Sequence, residues 1–317
     1  VGTQLFNRDG VRFRSGFFGP LERFLADSGA AVEYLPADFR RFGPLLAEAS
    51  PRVMCAAAAP PNDDGWCSLS LHAGGTIREL QAAGSDPDRL LIVEVSEQYP
   101  RTRGLGEHRH ALHVDEIDVL IYGNVGPTAV PQLEIDDVSK AIAAHAIGHI
   151  RDGSTLQTGI RSIPDAIAAQ LAEGDGGDYG IHTEMFTDGL MKLQRSGKVS
   201  NAKGANDGIS MCTFALGSRE LYDWLHENDE VAFLPVEEIN SPHKMNENRQ
   251  MVTVNGALSV DLYGQVVADT LGGKQFSGTG GGEDFVSGPA YVEGGTSLLC
   301  FASTAGASDA PVSRIVR

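Results

Sequence analysis

The chain has 317 residues, of which 25 are basic and 42 acidic, giving a formal charge of −17. A length beyond about 250 residues exceeds one hydrophobic core and implies two domains. The acidic balance argues against nucleic acid or an anionic membrane as a general partner, and no apolar run approaches the 18 or so residues of a membrane span.

The elements are expected in the following order. A helix covers Leu21–Ser28, and strands cover Val53–Ala57, Leu90–Val95 and Val119–Tyr122. Pro127 to Pro131 reads as a linker, which places an amino-terminal domain at 1–130 and a carboxy-terminal domain at 131–317. The stripe Ile135, Val138, Ile142 and Ala146 marks a second helix, on which His145 and His149 share a face. Ser162 is a candidate cap for a third, with Pro164 in its first turn and an end near Gly174. A strand at Thr213–Leu216 precedes Ser218, a cap for Arg219–Asn228. Strands at Met251–Val254, Leu258–Leu262 and Ser297–Ala302 follow. Strands that are apolar on both faces, alternating with helices, indicate an α/β fold.

Four cysteines, at 55, 67, 212 and 300, form no C-x-x-C pair, so reduced thiols and a cytoplasmic location are expected, with Cys300 in the core. The chain begins at Val1 and closes on the strand-like 312–317, so both ends are expected to be truncated.

Two segments carry chemistry. Residues 180–189, Gly-Ile-His-Thr-Glu-Met-Phe-Thr-Asp-Gly, hold Glu184 in what reads as a tight turn. Residues 276–285 form a loop almost without side chains at 278–282. An ionised, dry and positioned glutamate can attack an activated carbonyl such as a thioester, giving a mixed anhydride. The oxyanion formed on the way needs preorganised N–H donors, which glycines can present at close range. The plainer readings are a helix N-terminal acid for Glu184 and a flexible loop for the glycines. The glycines only partly echo a dinucleotide fingerprint, because Glu283 stands at its sixth position, and they are no phosphate loop.

Ordered blocks along nearly the whole chain resemble the acetyl-CoA hydrolase/transferase family, in its 4-hydroxybutyrate CoA-transferase-like branch. They include 16–20 (Gly-Phe-Phe-Gly-Pro), 60–65 (Pro-Pro-Asn-Asp-Asp-Gly), 100–104 (Pro-Arg-Thr-Arg-Gly), 152–164, 182–189, 234–240 and 275–285. The resemblance implies two similar open α/β domains facing across a cleft. It also implies exchange of coenzyme A between an acyl-CoA and a free carboxylic acid by a ping-pong route. It maps the catalytic glutamate to Glu184 and the oxyanion or CoA-binding loop to Gly278, Gly280, Gly281 and Gly282. The family block usually reads Gly-Ile-Gly where this chain has Gly159-Ile-Arg161.

Further candidates for substrate binding are Arg101, Arg103, Arg161 and His182. The first two form a basic loop that either grips a carboxylate or CoA phosphate or is a solvated turn. His182 either orients Glu184 or is a packed strand-end histidine. His108, His110 and His113 lack a supporting cysteine and are not expected to bind metal. The expected partners are acyl-CoA and small carboxylic acids, with CoA thioester as substrate and no tightly bound cofactor, in a homo-oligomer. An acyl-CoA hydrolase using the same glutamate and a non-catalytic CoA- or acid-binding protein are the alternatives.

Overall fold

The computed structural model describes residues 8–132, 134–306 and 310–317. Its first half pairs β1 (Phe13–Ser15) with β2 (Val32–Tyr34), and it builds a parallel sheet from β3 (Val53–Ala58), β5 (Leu90–Val95) and β7 (Val119–Tyr122). The short β4 (Trp66–Ser68) and β6 (Ala111–His113) pair antiparallel beside it. Met54, Leu80, Leu91, Val93 and Leu112 pack one core there.

The second half is organised by a six-stranded, all-parallel sheet. Its strands are β8 (Thr155–Thr158), β9 (Gly180–Phe186), β10 (Ser210–Ala215), β11 (Val231–Phe233), β12 (Met251–Asn255) and the strand Thr296–Leu299. The spatial order is β11-β10-β9-β8-β12 and then Thr296–Leu299, which leaves β9 in the interior. Parallel sheets need cover on both faces. Leu156, Ile181, Cys212, Val252 and Val254 pack under helices 137–147, 162–173, 188–195 and 219–225. Met211 and Met251 pack under the short helices 236–239, 242–245 and 282–287. This is an α/β fold, as the alternating pattern predicts.

Several local expectations change. Glu184 is in no turn and at no helix start; it lies near the end of β9, where every side chain is buried or partly buried. Helix 162–173 begins at Ser162 itself, so Arg161 is the cap residue and makes no side-chain cap bond. The Ser162 hydroxyl instead accepts from Ser139, 2.9 Å away, tying two helices together. Helix 137–147 stops at Ile147, so His149 lies beyond it and shares no helical face with His145. The last long strand ends at Leu299, and Cys300 packs against the core just past it. Ser218 does cap its helix, accepting from the Leu221 N–H at 3.3 Å, and that helix ends at Leu225.

Main-chain contacts join the halves. The Ala215 and Val236 N–H groups donate to the carbonyls of Leu71 and Gly74, each at 2.9 Å, and Phe233 donates to Arg103 at 2.8 Å. Gly74 is required here, since a Cβ would fall 1.6 Å from the Thr213 hydroxyl on β10. The loop 69–75 is thereby seated on the carboxyl ends of the strands, where open α/β sheets place their ligands.

Candidate active site

Three segments converge on Glu184. From β9 its carboxylate reaches the side chain of Asn240, which follows the helix Val236–Ile239, and the Asn240 Nδ2 donates to Glu184 Oε2 at 2.7 Å. The same Nδ2 donates to Asp284 Oδ2 at 3.1 Å. Asp284 belongs to the helix Gly282–Ser287 that follows the glycine loop, and it is fully buried. One amide group therefore spends both its protons on two carboxylates.

The glycine loop is pressed against this pair. A Cβ on Gly281 would lie 1.6 Å from Glu184 Oε2 and 2.5 Å from Asn240 Nδ2, so a side chain there and the carboxylate cannot coexist. The Gly281 N–H has no hydrogen-bond partner among the described residues. Gly280 takes φ +54, and its carbonyl accepts from the Phe39 N–H at 2.8 Å. Gly278 abuts the backbone of Gly16 and Phe17, and the Gly282 N–H turns back to Thr279 at 3.2 Å. Glycine is thus needed at 278 and 281 for close approach rather than for looseness.

The electrostatics favour a carboxylate that is readily protonated. Burial, reinforced by the Asp284 charge, pushes the Glu184 carboxyl up from 4.5 to about 7, against the lowering effect of the Asn240 hydrogen bond. Burial likewise raises Asp284 to about 6, while Asn240 and Arg40 pull the other way. A carboxylate poised near neutrality in a restricted site is a frequent mark of chemistry.

The remaining sequence candidates are spread apart. His182 is buried on β9, with Nε2 donating to the Ile239 carbonyl at 2.7 Å and Nδ1 accepting from Asn248 at 3.2 Å. Burial lowers its pKa to about 4, so the ring is neutral and anchors the residue before Asn240. Arg101 and Arg103 line a separate cleft of about 800 Å³ with Trp66 and Arg109. Arg101 donates to the carbonyls of Pro60 and Trp66, and Arg103 pairs with Asp229. Arg161 is exposed just past the end of β8, at φ +115 and ψ 178, a conformation that favours glycine.

Phe39, His72 and Phe214 stack edge and face beside the glycine loop, with Phe39–Phe214 and His72–Phe214 centroids 6.2 and 5.5 Å apart. Phe214 is the cross-strand partner of Met185, the residue after Glu184. Sequence reasoning gave no role to Asn240, Asp284 or this aromatic wall. The first two stand inside or beside quoted blocks, but nothing in spacing shows that they meet.

Known proteins share the sequence and the fold of this chain. The model of the acetyl-CoA hydrolase/transferase C-terminal domain matches residues 217–317, which include the glycine loop, Asn240 and Asp284. The 4-hydroxybutyrate coenzyme A transferase of Clostridium kluyveri is 34% identical over 313 residues, covering 96% of this chain and 70% of that protein. RipA from Yersinia pestis superposes with a TM-score of 0.89 at 31% identity, covering 99% of this chain and 70% of that one. The 4-hydroxybutyrate CoA-transferase of Porphyromonas gingivalis superposes with a TM-score of 0.77 at 29% identity, over 94% and 70% of the two chains. With a relative 34% identical over 96% of its length, the chain belongs to the acetyl-CoA hydrolase/transferase family.

Proposed function

We propose that this protein is a CoA-transferase that moves coenzyme A between a short-chain acyl-CoA and a free carboxylate, with Glu184 as nucleophile. The observation that carries the reading is the convergence on one carboxylate of an amide donor, a second acid and a backbone-only loop.

The ionised Glu184 attacks the thioester carbonyl; the C–S bond breaks and CoA thiolate leaves an acyl-glutamyl anhydride. The thiolate then attacks the glutamyl carbonyl, and the donor acid departs as its carboxylate. This leaves a glutamyl-CoA thioester. An acceptor carboxylate attacks that thioester, again releasing thiolate and forming a new anhydride. Attack of the thiolate on the acceptor's carbonyl yields the new acyl-CoA and restores Glu184. Each half is thiol–carboxylate exchange, so no water and no redox partner enters. The Gly281 N–H is an unengaged main-chain donor on the residue packed against Glu184, and losing such a donor from an oxyanion site costs roughly 3–4 kcal/mol of barrier. Asn240 fixes the carboxylate without neutralising it. Binding of the distant part of CoA, which is a substrate here and not a resident cofactor, holds the thiolate for near-intramolecular attack.

Borohydride trapping tests the reading. Incubation with an acyl-CoA makes Glu184 reducible as its thioester, and mass spectrometry locates the change. An unmodified Glu184 rules out the covalent route and leaves the binding-protein reading. Thiol release that needs no acceptor acid would instead identify a hydrolase using the same residue.

A further inference from the structure

We propose that Arg40, from the amino-terminal half, is a positioning residue for Glu184, acting through Asp284 and Asn240. The inference rests on the reading of Glu184 as nucleophile. Arg40 Nη1 lies 2.7 Å from Asp284 Oδ1, and the Arg40 backbone N–H donates to Asp284 Oδ2 at 3.4 Å. Asp284 Oδ2 in turn accepts from the Asn240 amide that holds Glu184. The ion pair is asymmetric in exposure: the Arg40 side chain is 31% accessible, whereas the Asp284 carboxylate is wholly buried. A surface pair of this kind contributes little, but a buried carboxylate without its counter-charge takes up a proton instead.

The consequence follows from the proton count of an amide. With both carboxylates ionised, both Nδ2 protons of Asn240 are committed and its side chain has one orientation. Once Asp284 is protonated, it offers a donor to the otherwise unpartnered Asn240 Oδ1, and the amide is free to turn away from Glu184. Arg40 therefore keeps Asn240 aimed at the nucleophile. The charged groups facing Asp284 are Asp38 and Arg40 from the turn at 38–41, Glu283 beside it on its own helix, and Glu184 across Asn240. The helix 236–239 presents the neutral Asn240 to it. Arg40 is the one cation among these, and Asp38 opposes ionisation of Asp284.

The test compares Arg40→Ala, Arg40→Lys and Asp284→Asn in full-chain enzyme. Arg40→Ala should lower kcat by about 10- to 100-fold with KM for acyl-CoA nearly unchanged. Its acidic limb should move to higher pH by about one unit, because losing a cation destabilises the doubly ionised pair. Arg40→Lys should restore the limb. Combining Arg40→Ala with Asp284→Asn should cost no more than Asp284→Asn alone. An unmoved limb, or additive losses in the double variant, overturns the proposal. If Arg40→Ala does not fold, Arg40→Gln takes its place with the same expected limb. Borohydride trapping of the wild-type enzyme separates the two failures: no label at Glu184 sinks the covalent reading, whereas normal labelling with an unmoved limb sinks only the role of Arg40.

Discussion

Asn240 Nδ2 stands 2.7 Å from Glu184 Oε2 and 3.1 Å from Asp284 Oδ2, so the geometry of the Glu184 carboxylate depends on an amide it shares with a second acid. Removing the amide leaves two neighbouring carboxylates with nothing between them. Asn240→Ala should reduce kcat by about 100-fold, the scale of a misplacement near 1 Å, and should push the acidic limb upward. Steady-state kinetics across pH checks this; a variant that loses only KM contradicts it.

As the proposed nucleophile Glu184 has to be ionised, and its carboxyl is raised to about 7 chiefly by burial. Turnover should therefore climb with pH through about 7 and level off above it. A profile already flat at pH 5 would show that this group does not govern the rate.

The same shift acts on stability in the opposite sense. Between 4.5 and about 7 the folded protein holds a proton on Glu184 that the unfolded chain has released, so this group's contribution falls as pH rises across that window. A rise of this size corresponds to destabilisation on the order of 3 kcal/mol above the window. Glu184→Gln should be inactive yet more resistant to urea than wild type at pH 8, with the advantage vanishing below pH 4.5. Equal unfolding midpoints at pH 8 would contradict the assignment.

Two adjacent glycines give a contrast. Gly281→Ala places a methyl 1.6 Å from Glu184 Oε2, whereas a Cβ on Gly282 meets nothing within 4 Å. The first should lose about 100-fold or more in kcat with its fold intact, and the second should stay within about twofold of wild type. Equal effects would mean that the loop is merely flexible.

Arg161 holds φ +115 without any side-chain hydrogen bond or ion pair among the described residues. Glycine relieves a strain of about 1–3 kcal/mol there, against its own entropic cost of about 0.5–1 kcal/mol. Arg161→Gly should therefore raise the thermal midpoint. Should acceptor KM rise at the same time, the arginine is trading stability for substrate contact.

Strands such as Leu90–Val95, apolar apart from Glu94, and Val119–Tyr122 were legible because they are short, mainly apolar runs. The two strands that matter most were not. Residues 155–158 read Thr-Leu-Gln-Thr and 180–186 contain His, Thr and Glu, so polarity hid strands that are buried. Their polar groups find partners inside the sheet, as when Gln157 accepts from the Val254 N–H at 3.2 Å. Glu184 and the glycine loop were singled out by residue type and by family resemblance. Arg40, Asn240 and Asp284 were beyond reach, because tertiary folding alone brings them together.

The turn at 38–41 meets the glycine loop through Phe39 and Gly280, and Arg40 meets Asp284 across 244 residues of sequence. Contacts so remote form late, because long loops must close before they are rewarded. A half-folded chain therefore carries the glutamate but not the site, and refolding should regain its helical signal before its activity. On the proposed function, reactivity toward thioesters is thus confined to molecules whose two halves have already found each other.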